Sequence, residues 1–272
     1  MAPYIFDIGW STGGEPHMVE TAVLRTTFSS DVDSYDRLRP DYPPALVDWC
    51  LPRERPCAIV EIGCGSGQAT KLFVESAARI VAIDLSAEMI EKAKYNLRAP
   101  NVAFIVGAFE DIELPAGPFD AVLSAQAIHW LDFDKAFARI RKLLRSGGRF
   151  ASCWNALNLE RNESLRRARD EILSVVPHFD KWPDSGRARF HAFEREWCSA
   201  IEDVFGNVES TTFSRDVLRE RSWFLGWIST LSWWKALGPE QKSALEKSLP
   251  GMLPEVLEVR IDTLGIRADQ GA

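Results

Sequence analysis

The stretch Ile59-Val-Glu-Ile-Gly-Cys-Gly-Ser-Gly-Gln-Ala-Thr70 decides the fold. It begins inside Cys57 to Ile62, a short apolar run with β-branched residues, of the kind that a sheet buries on both faces. Three glycines follow at alternate positions, Gly63, Gly65 and Gly67. Beyond them Ala69, Leu72, Phe73 and Ala77 fall on one helical stripe. Strand, glycine turn and helix, in that order, open a doubly wound α/β domain. Glycine there permits unusual backbone angles and lets a ligand lie against bare main chain.

The spacing of this loop narrows the ligand. A dinucleotide fingerprint needs its third glycine three residues after the second, where this chain has Gln68. A phosphate loop ends in Gly-Lys-Ser/Thr, and none follows. Two acids stand beside the loop instead. Glu61 lies two residues before the first glycine, and Asp84 ends the next apolar run, Ile80-Val-Ala-Ile83. A carboxylate in the second position accepts hydrogen bonds from both hydroxyls of a ribose. The glycine loop with this pair of acids resembles the first two motifs of the class I S-adenosylmethionine (SAM)-dependent methyltransferases: Glu/Asp-x-Gly-x-Gly-x-Gly, then an acid closing the second strand. A loop serving only as a tight turn would explain one or two of the glycines but not both acids. The resemblance implies a seven-stranded, mostly parallel, Rossmann-like sheet with a helical cap, and SAM as the cofactor. It implies that Glu61, Gly63, Gly65, Gly67 and Gln68 seat the methionine portion and Asp84 the ribose.

Composition bounds the rest. The 272 residues suffice for one large domain or one domain with a cap. With 46% hydrophobic and 26% charged residues the chain reads as soluble and globular. A net charge of -7 argues against nucleic acid as the main partner. No apolar run approaches the roughly 20 residues that span a bilayer, and the N-terminus lacks the blocks of a signal peptide. Cys50, Cys57, Cys64, Cys153 and Cys198 are an odd set without paired metal spacing, read as reduced thiols of a cytoplasmic protein. No two of the four histidines are spaced as a metal site, so no metal is expected. One domain over residues 1–272 is expected, as a monomer or homodimer.

Residues up to about Thr27 carry no periodic signal and are expected to form a loose arm or part of a lid. Phe28 to Pro44 then resembles the Tyr-Asp-x-x-Arg-Pro-x-Tyr-Pro segment of a subgroup that includes the trans-aconitate methyltransferases. The likeness implies Tyr35 and Arg39 as contacts of the methionine carboxylate or the sulfonium. An arginine grips a carboxylate through two bonds, and an aromatic face meets a sulfonium as it meets an ammonium. Packing a helix on the sheet is an equally simple role for both. Farther on, Ser86 caps a helix to about Leu97. Leu85 and Met89 are adenine contacts by resemblance, although core packing is the commoner role for such a methionine. Val102 to Val106 is the third strand. After it, relatives often carry Gly-Asp-Ala-Glu, whose Asp bonds the adenine amino group. Ala108 stands in its place, so that bond is missing or supplied elsewhere: main chain at Ala108 and Phe109 can meet the adenine edge, the Phe109 ring can pack on it, and Glu110 either recovers the amino contact or is a solvated loop acid.

Phe119 to Ser124 is the fourth strand. Ser124-Ala-Gln-Ala-Ile-His-Trp130 is close to the Ser-x-x-Ala-x-His-Trp pattern of the same subgroup. Ligands of an open parallel sheet lie outside the carboxyl ends of the central strands, where the strand order reverses. Residues 124 to 130 therefore face the transferred methyl, with Ser124 and Ala125 against the cofactor. His129 is the one side chain there that takes a proton near neutral pH, hence the candidate base. Holding the loop together is its plainer role. Asp134 caps the next helix, which Ser146-Gly-Gly148 ends before a fifth strand at Arg149 to Trp154.

Beyond residue 155 the motif signal fades. Helices are expected at Arg161 to Leu173 and through Trp197, strand six at Val208 to Phe213, and a last strand at about Val256 to Ile266. The cap is expected from about residues 1–50, 155–205 and 216–254. Trp223, Trp227, Leu231 and Trp234 form one helical stripe, which either docks its helix on the core or roofs a substrate pocket. The tryptophan content of these segments points to an apolar or aromatic small-molecule acceptor. The expected activity is SAM-dependent methyl transfer to it. The alternatives are a SAM-utilising cyclase on the same fold and a non-catalytic SAM-binding module.

Overall fold

The computed structural model describes residues 32–271. The expected N-terminal arm, and Phe28 at the head of the following motif, lie outside the described residues. In chain order the elements are α1 (Val32–Leu38), α2 (Leu46–Cys50), β1 (Cys57–Ile62), α3 (Thr70–Phe73), β2 (Ala77–Asp84), α4 (Ala87–Leu97), β3 (Val102–Val106) and β4 (Phe119–Ala125). Then come α5 (Phe133–Leu143), β5 (Leu144–Leu157), α6 (Glu163–Val175), α7 (Arg187–Phe205), β6 (Glu209–Glu220), α8 (Arg221–Ser229), α9 (Ser232–Lys235), α10 (Pro239–Met252) and β7 (Val256–Asp269).

The strands form one seven-stranded sheet in the order β3-β2-β1-β4-β5-β7-β6. The pairs β3-β2, β2-β1, β1-β4 and β4-β5 are parallel. The β7 strand runs against β5, because Asn158 bonds Arg260 while Gly148 bonds Gln270. It runs against β6 as well, since Glu209 meets Arg267 while Asp216 meets Arg260. The sheet is thus the expected Rossmann-like one, mostly parallel with an antiparallel edge. Its order reverses between β1 and β4, which places the ligand end of the sheet at Ile62 and Ala125.

The chain divides into two compact units. One comprises Asp41–Asn155, Trp197–Phe213 and the residues from Thr263 onward. Its core is the sheet interior: Ile59, Ile80, Ala82, Ala121, Leu123 and Ala151 pack with Leu46, Phe73 and Ile90. Each fully buried Ile or Leu of this kind contributes about 1.5–3 kcal/mol. The other unit comprises the described residues to Pro40, Ala156–Glu196 and Ser214–Asp262. It has its own core of Leu165, Ile172, Phe179, Phe224, Trp227, Trp233, Leu245 and Val259.

Several elements differ from expectation. The helix after the glycine loop stops at Phe73, and Ala77 opens β2 opposite Cys57. Alanines satisfy a helical stripe and a strand equally well, so periodicity alone cannot separate them. The α5 cap is Asp132, whose side chain accepts from the Lys135 amide, with Asp134 in the first turn. The tryptophan stripe is two helices, not one. The Ser229 and Thr230 hydroxyls donate back to the Gly226 and Trp227 carbonyls at 2.7 Å each, and Leu231 turns extended. Such back-bonding competes with helix continuation. The β6 strand runs on to Glu220, past the expected end at Phe213. It is an edge strand, and its charged residues hide the alternation.

Candidate functional site

The carboxyl ends of β1 and β2 are laced together by the glycine loop. The Gly63 and Cys64 amides both donate to the Ile83 carbonyl, at 2.8 and 2.9 Å. The Gly65 amide donates to the Asp84 carboxylate at 2.9 Å, and the other carboxylate oxygen accepts from the Ser86 amide at 2.9 Å. Gly63 has φ of +70°. A side chain there would overlap the Cβ of Ala127, in the loop after β4. The glycine thus serves two ends: a left-handed turn, and close approach of the β4 loop to the β1 loop.

Glu61 sits in β1 between Ala82 of β2 and Leu123 of β4. It is 1% exposed, and neither carboxylate oxygen has a hydrogen-bond partner among the described residues. Burial raises its carboxyl to about 7; the nearby Thr70 hydroxyl favours the charged form without completing a bond, and the Asp84 charge disfavours it. An unpartnered buried carboxylate is costly. Protonation relieves that cost, and so would a cationic partner at the head of the glycine loop. Asp84 is likewise raised by burial, opposed by the amides of Ser86, Gly65 and Leu85. Two bonded amides fix its plane while leaving acceptor sites for hydroxyl groups.

The β4 end carries a polar network that sequence reasoning missed. Gln126 holds φ of +52°, a left-handed conformation in a residue with a full side chain. Its amide donates to the Cys153 carbonyl at 2.8 Å. Its side-chain oxygen accepts from the Tyr42 hydroxyl, and its side-chain nitrogen donates to the Asn155 carbonyl, both at 3.3 Å. Asn155 in turn accepts from Thr263 at 2.5 Å and donates to the Asp41 carbonyl at 3.4 Å. A polar residue at the end of an apolar strand was the available signal for Gln126. Ser124 is buried, and its hydroxyl donates to the Ile62 carbonyl at 3.3 Å, tying β4 to β1.

His129 lies in a single 3-10 turn after β4. The Trp154 indole donates to its Nδ1 at 3.4 Å. Indole N–H is only a donor, so the Nδ1 that accepts from it is unprotonated and the neutral ring carries its proton on Nε2.

The remaining expected residues divide. Leu85 is 39% exposed directly after Asp84, whereas Met89 is buried in the core at 2%. The turn after β3 hangs from β2, the Gly107 amide donating to the Asp84 carbonyl at 2.9 Å. In it the Phe109 ring is buried, with the Arg139 guanidinium 5.2 Å from its centroid. That ring is therefore packed inside the protein, and main chain is what the turn has to offer a ligand. A Glu110 carboxylate oxygen accepts from the Asp132 amide at 3.1 Å, which anchors this turn to the α5 cap. Gln68 and Ala125 are partly exposed, the first in the glycine loop and the second at the tip of β4. Tyr35 and Arg39 belong to the other compact unit. There the Arg39 guanidinium lies 4.8 Å over the Tyr35 ring and donates to the Thr230 carbonyl at 2.9 Å.

An acid, a glycine loop and a second acid stand together at the switch point of this sheet, as the resemblance to class I methyltransferases implies. Comparison with known proteins agrees. Residues 60–152 match the protein family described as "Methyltransferase domain". An uncharacterized methyltransferase of Mycobacterium tuberculosis is 37% identical over 132 residues, 48% of this chain and 53% of that protein. The chain thus spans about half the length of this relative. The malonyl-[acyl-carrier protein] O-methyltransferase of Anoxybacillus flavithermus is 28% identical over 206 residues, 69% of this chain and 78% of that protein. A solved structure from Anaeromyxobacter dehalogenans, assigned as a type II methyltransferase, superposes with a TM-score of 0.61 at 25% identity. That match covers 86% of this chain and 99% of the other. The fold is accordingly shared with methyltransferases, and residues 60–152 are the part of the chain that matches the methyltransferase-domain family.

Proposed function

We propose that this protein is a SAM-dependent methyltransferase acting on a small acceptor molecule. The observation that carries the reading is Glu61: a buried carboxylate with no partner, at the head of a glycine loop whose next amide is held by Asp84. SAM fits this arrangement, since its methionine end carries an ammonium and its ribose two hydroxyls. Glu61 and the loop of Gly63, Gly65, Gly67 and Gln68 hold the methionine portion. Asp84 takes the ribose hydroxyls, and Leu85 covers one face of the adenine. The main chain of Ala108, Phe109 and Glu110 meets the adenine edge, while Met89, buried in the core, is left a packing role. Ser124 and Ala125 border the sulfonium side. For Tyr35 and Arg39 a role toward the methionine carboxylate is supported by the resemblance of their segment alone.

When bound, SAM supplies a methyl group already activated by its sulfonium. The chain's own task is then to align an acceptor and exclude water. In this reading His129 handles the acceptor's proton or orients the acceptor, and its Nε2–H tautomer favours orientation as a donor. The Tyr35–Arg39 segment and the Ser124–Trp130 loop support a place in the subgroup that includes the trans-aconitate methyltransferases. The tryptophan-rich segments support an apolar or aromatic acceptor, with a reservation in the structure: Trp227, Trp233 and Trp234 are consumed by a core. Four buried cysteines without disulfides support a cytoplasmic protein, working as a monomer or homodimer. Among the described residues no helix is long and apolar enough to cross a membrane.

Calorimetric titration with SAM tests the reading. Wild-type protein binds SAM, and Asp84→Ala weakens binding at least tenfold, the loss of two charge-assisted hydrogen bonds at about 1.5–3 kcal/mol each being more than enough. Mass spectrometry of an incubated extract then shows one acceptor gaining a methylene. Unchanged affinity in Asp84→Ala would remove that residue from its role.

A further inference from the structure

At the amino end of β1, far from the glycine loop, is a cavity of about 420 Å³ lined by Asp48, Leu51, Arg53, Arg55, Arg149 and Arg267. The strand between them is six residues long, so roughly 20 Å separates this cavity from the loop. Its wall carries four guanidinium groups and one carboxylate, on a chain whose net charge is -7.

Two of these arginines are held rigidly. Arg149 donates to the Trp49 and Leu51 carbonyls at 3.2 and 3.1 Å and grips Asp269 at 2.6 and 3.0 Å. Arg267 lies 3.9 Å over the Trp49 ring and bonds Glu209 at 2.8 Å. Their acids, Asp269 and Glu209, are not part of the cavity wall and are half-exposed or more. Arg55 pairs with Asp48, whose side chain is 85% exposed. One whole guanidinium and one further N–H are left over. Arg53 makes no hydrogen bond or ion pair among the described residues, and the Arg267 Nε is buried without a partner.

We infer that this cavity is a second ligand site, for a small molecule carrying a diphosphate or longer phosphate chain. Guanidinium forks match phosphoryl oxygens two at a time, and several on fixed stems recognise more than one phosphoryl group. Arginines already ordered by Trp49, Asp269 and Glu209 lose little freedom on binding. The volume exceeds what a diphosphate fills and leaves room for the group attached to it. The site is separate from the proposed methyl-transfer chemistry and does not depend on it.

The test is calorimetric titration of the full chain with inorganic pyrophosphate, with and without saturating SAM. A one-to-one isotherm is expected, insensitive to SAM and weakened by raised salt. The Arg53→Ala/Arg55→Ala double variant should lose at least tenfold in pyrophosphate affinity while keeping its melting temperature and SAM affinity. The single variant Arg53→Glu, at an exposed residue, should lose affinity without any effect on folding. An absent isotherm, one unchanged in both variants, one abolished by SAM, or one matched by equal concentrations of sulfate would each overturn the assignment.

Discussion

His129 receives the Trp154 indole proton on Nδ1, at 3.4 Å, so in its neutral form it presents Nε2 as a donor. A base acting through Nε2 would need the opposite tautomer, with a proton on Nδ1 facing another donor. That conflict separates two roles by substitution. Gln at this position keeps a donor near the place of Nε2 but cannot take a proton at neutral pH. We expect His129→Gln to retain at least about a tenth of wild-type kcat and His129→Ala to lose about 100-fold, the lower range for a positioned proton-handling group. Equal losses in both variants, with a kcat that follows a single ionisation absent from His129→Gln, would restore the base. Sequence marked His129 for attention because imidazole is rare there, but only the fold supplies its partner: Trp154 is 25 residues away, on a neighbouring strand. Glu61 was legible from spacing alone. Its raised pKa was not, because that depends on what buries it.

At the scale of the element, the glycine loop works as a joint between β1, β2 and the loop after β4. Gly63 is the point where Ala127 comes closest. We expect Gly63→Ala to weaken SAM binding more than tenfold and to destabilise the fold by about 1–3 kcal/mol, from overlap and from φ of +70°. Adding Ala127→Gly should recover part of both losses, since the two sites share one contact. Chemical denaturation and calorimetry of the three variants read this directly, and strictly additive losses would show that the contact is unimportant. Elements near the motifs were the most legible: β1, β3, β4 and the Ser86-capped α4 stand where pattern and capping put them. Legibility failed where two structures share one pattern. Ala77 fits helix or strand, and it became strand because β1 offered it a partner. Trp223 to Trp234 fits one helix, yet two hydroxyls interrupt it and its larger rings enter a core.

For the whole molecule, the buried carboxylates set how stability depends on pH. Burial raises Glu61 from its ordinary 4.5 to about 7. Burial also raises Asp184 from 3.8 to about 7, against the opposing effects of the Leu157 amide and the Arg39 charge. Asp84 is raised in the same direction. The folded protein therefore holds protons that the unfolded chain has released between about pH 4 and 7. Stability is full below that window and declines as pH rises through it. Each fully raised group costs the ionised folded state on the order of 3–4 kcal/mol at pH 8. Asp216, lowered to about 2 by Arg260, and Asp120, held down by Arg145 despite partial burial, act the opposite way, but their stabilisation is already complete by about pH 5. His178, lowered by burial and Lys181, opposes the decline only up to its ordinary 6.5. The ligand-free protein should thus melt at least about 5 °C lower at pH 8 than at pH 5, taking about 2–4 °C per kcal/mol for a chain of this size. Glu61→Gln and Asp184→Asn should each flatten the decline. Saturating SAM should separate the two, because its ammonium neutralises Glu61 alone: with SAM bound, Glu61→Gln loses its advantage at pH 8 and Asp184→Asn keeps it. Differential scanning calorimetry across this range checks each part, and a melting temperature that rises from pH 5 to pH 8 would show that these carboxylates do not govern the molecule.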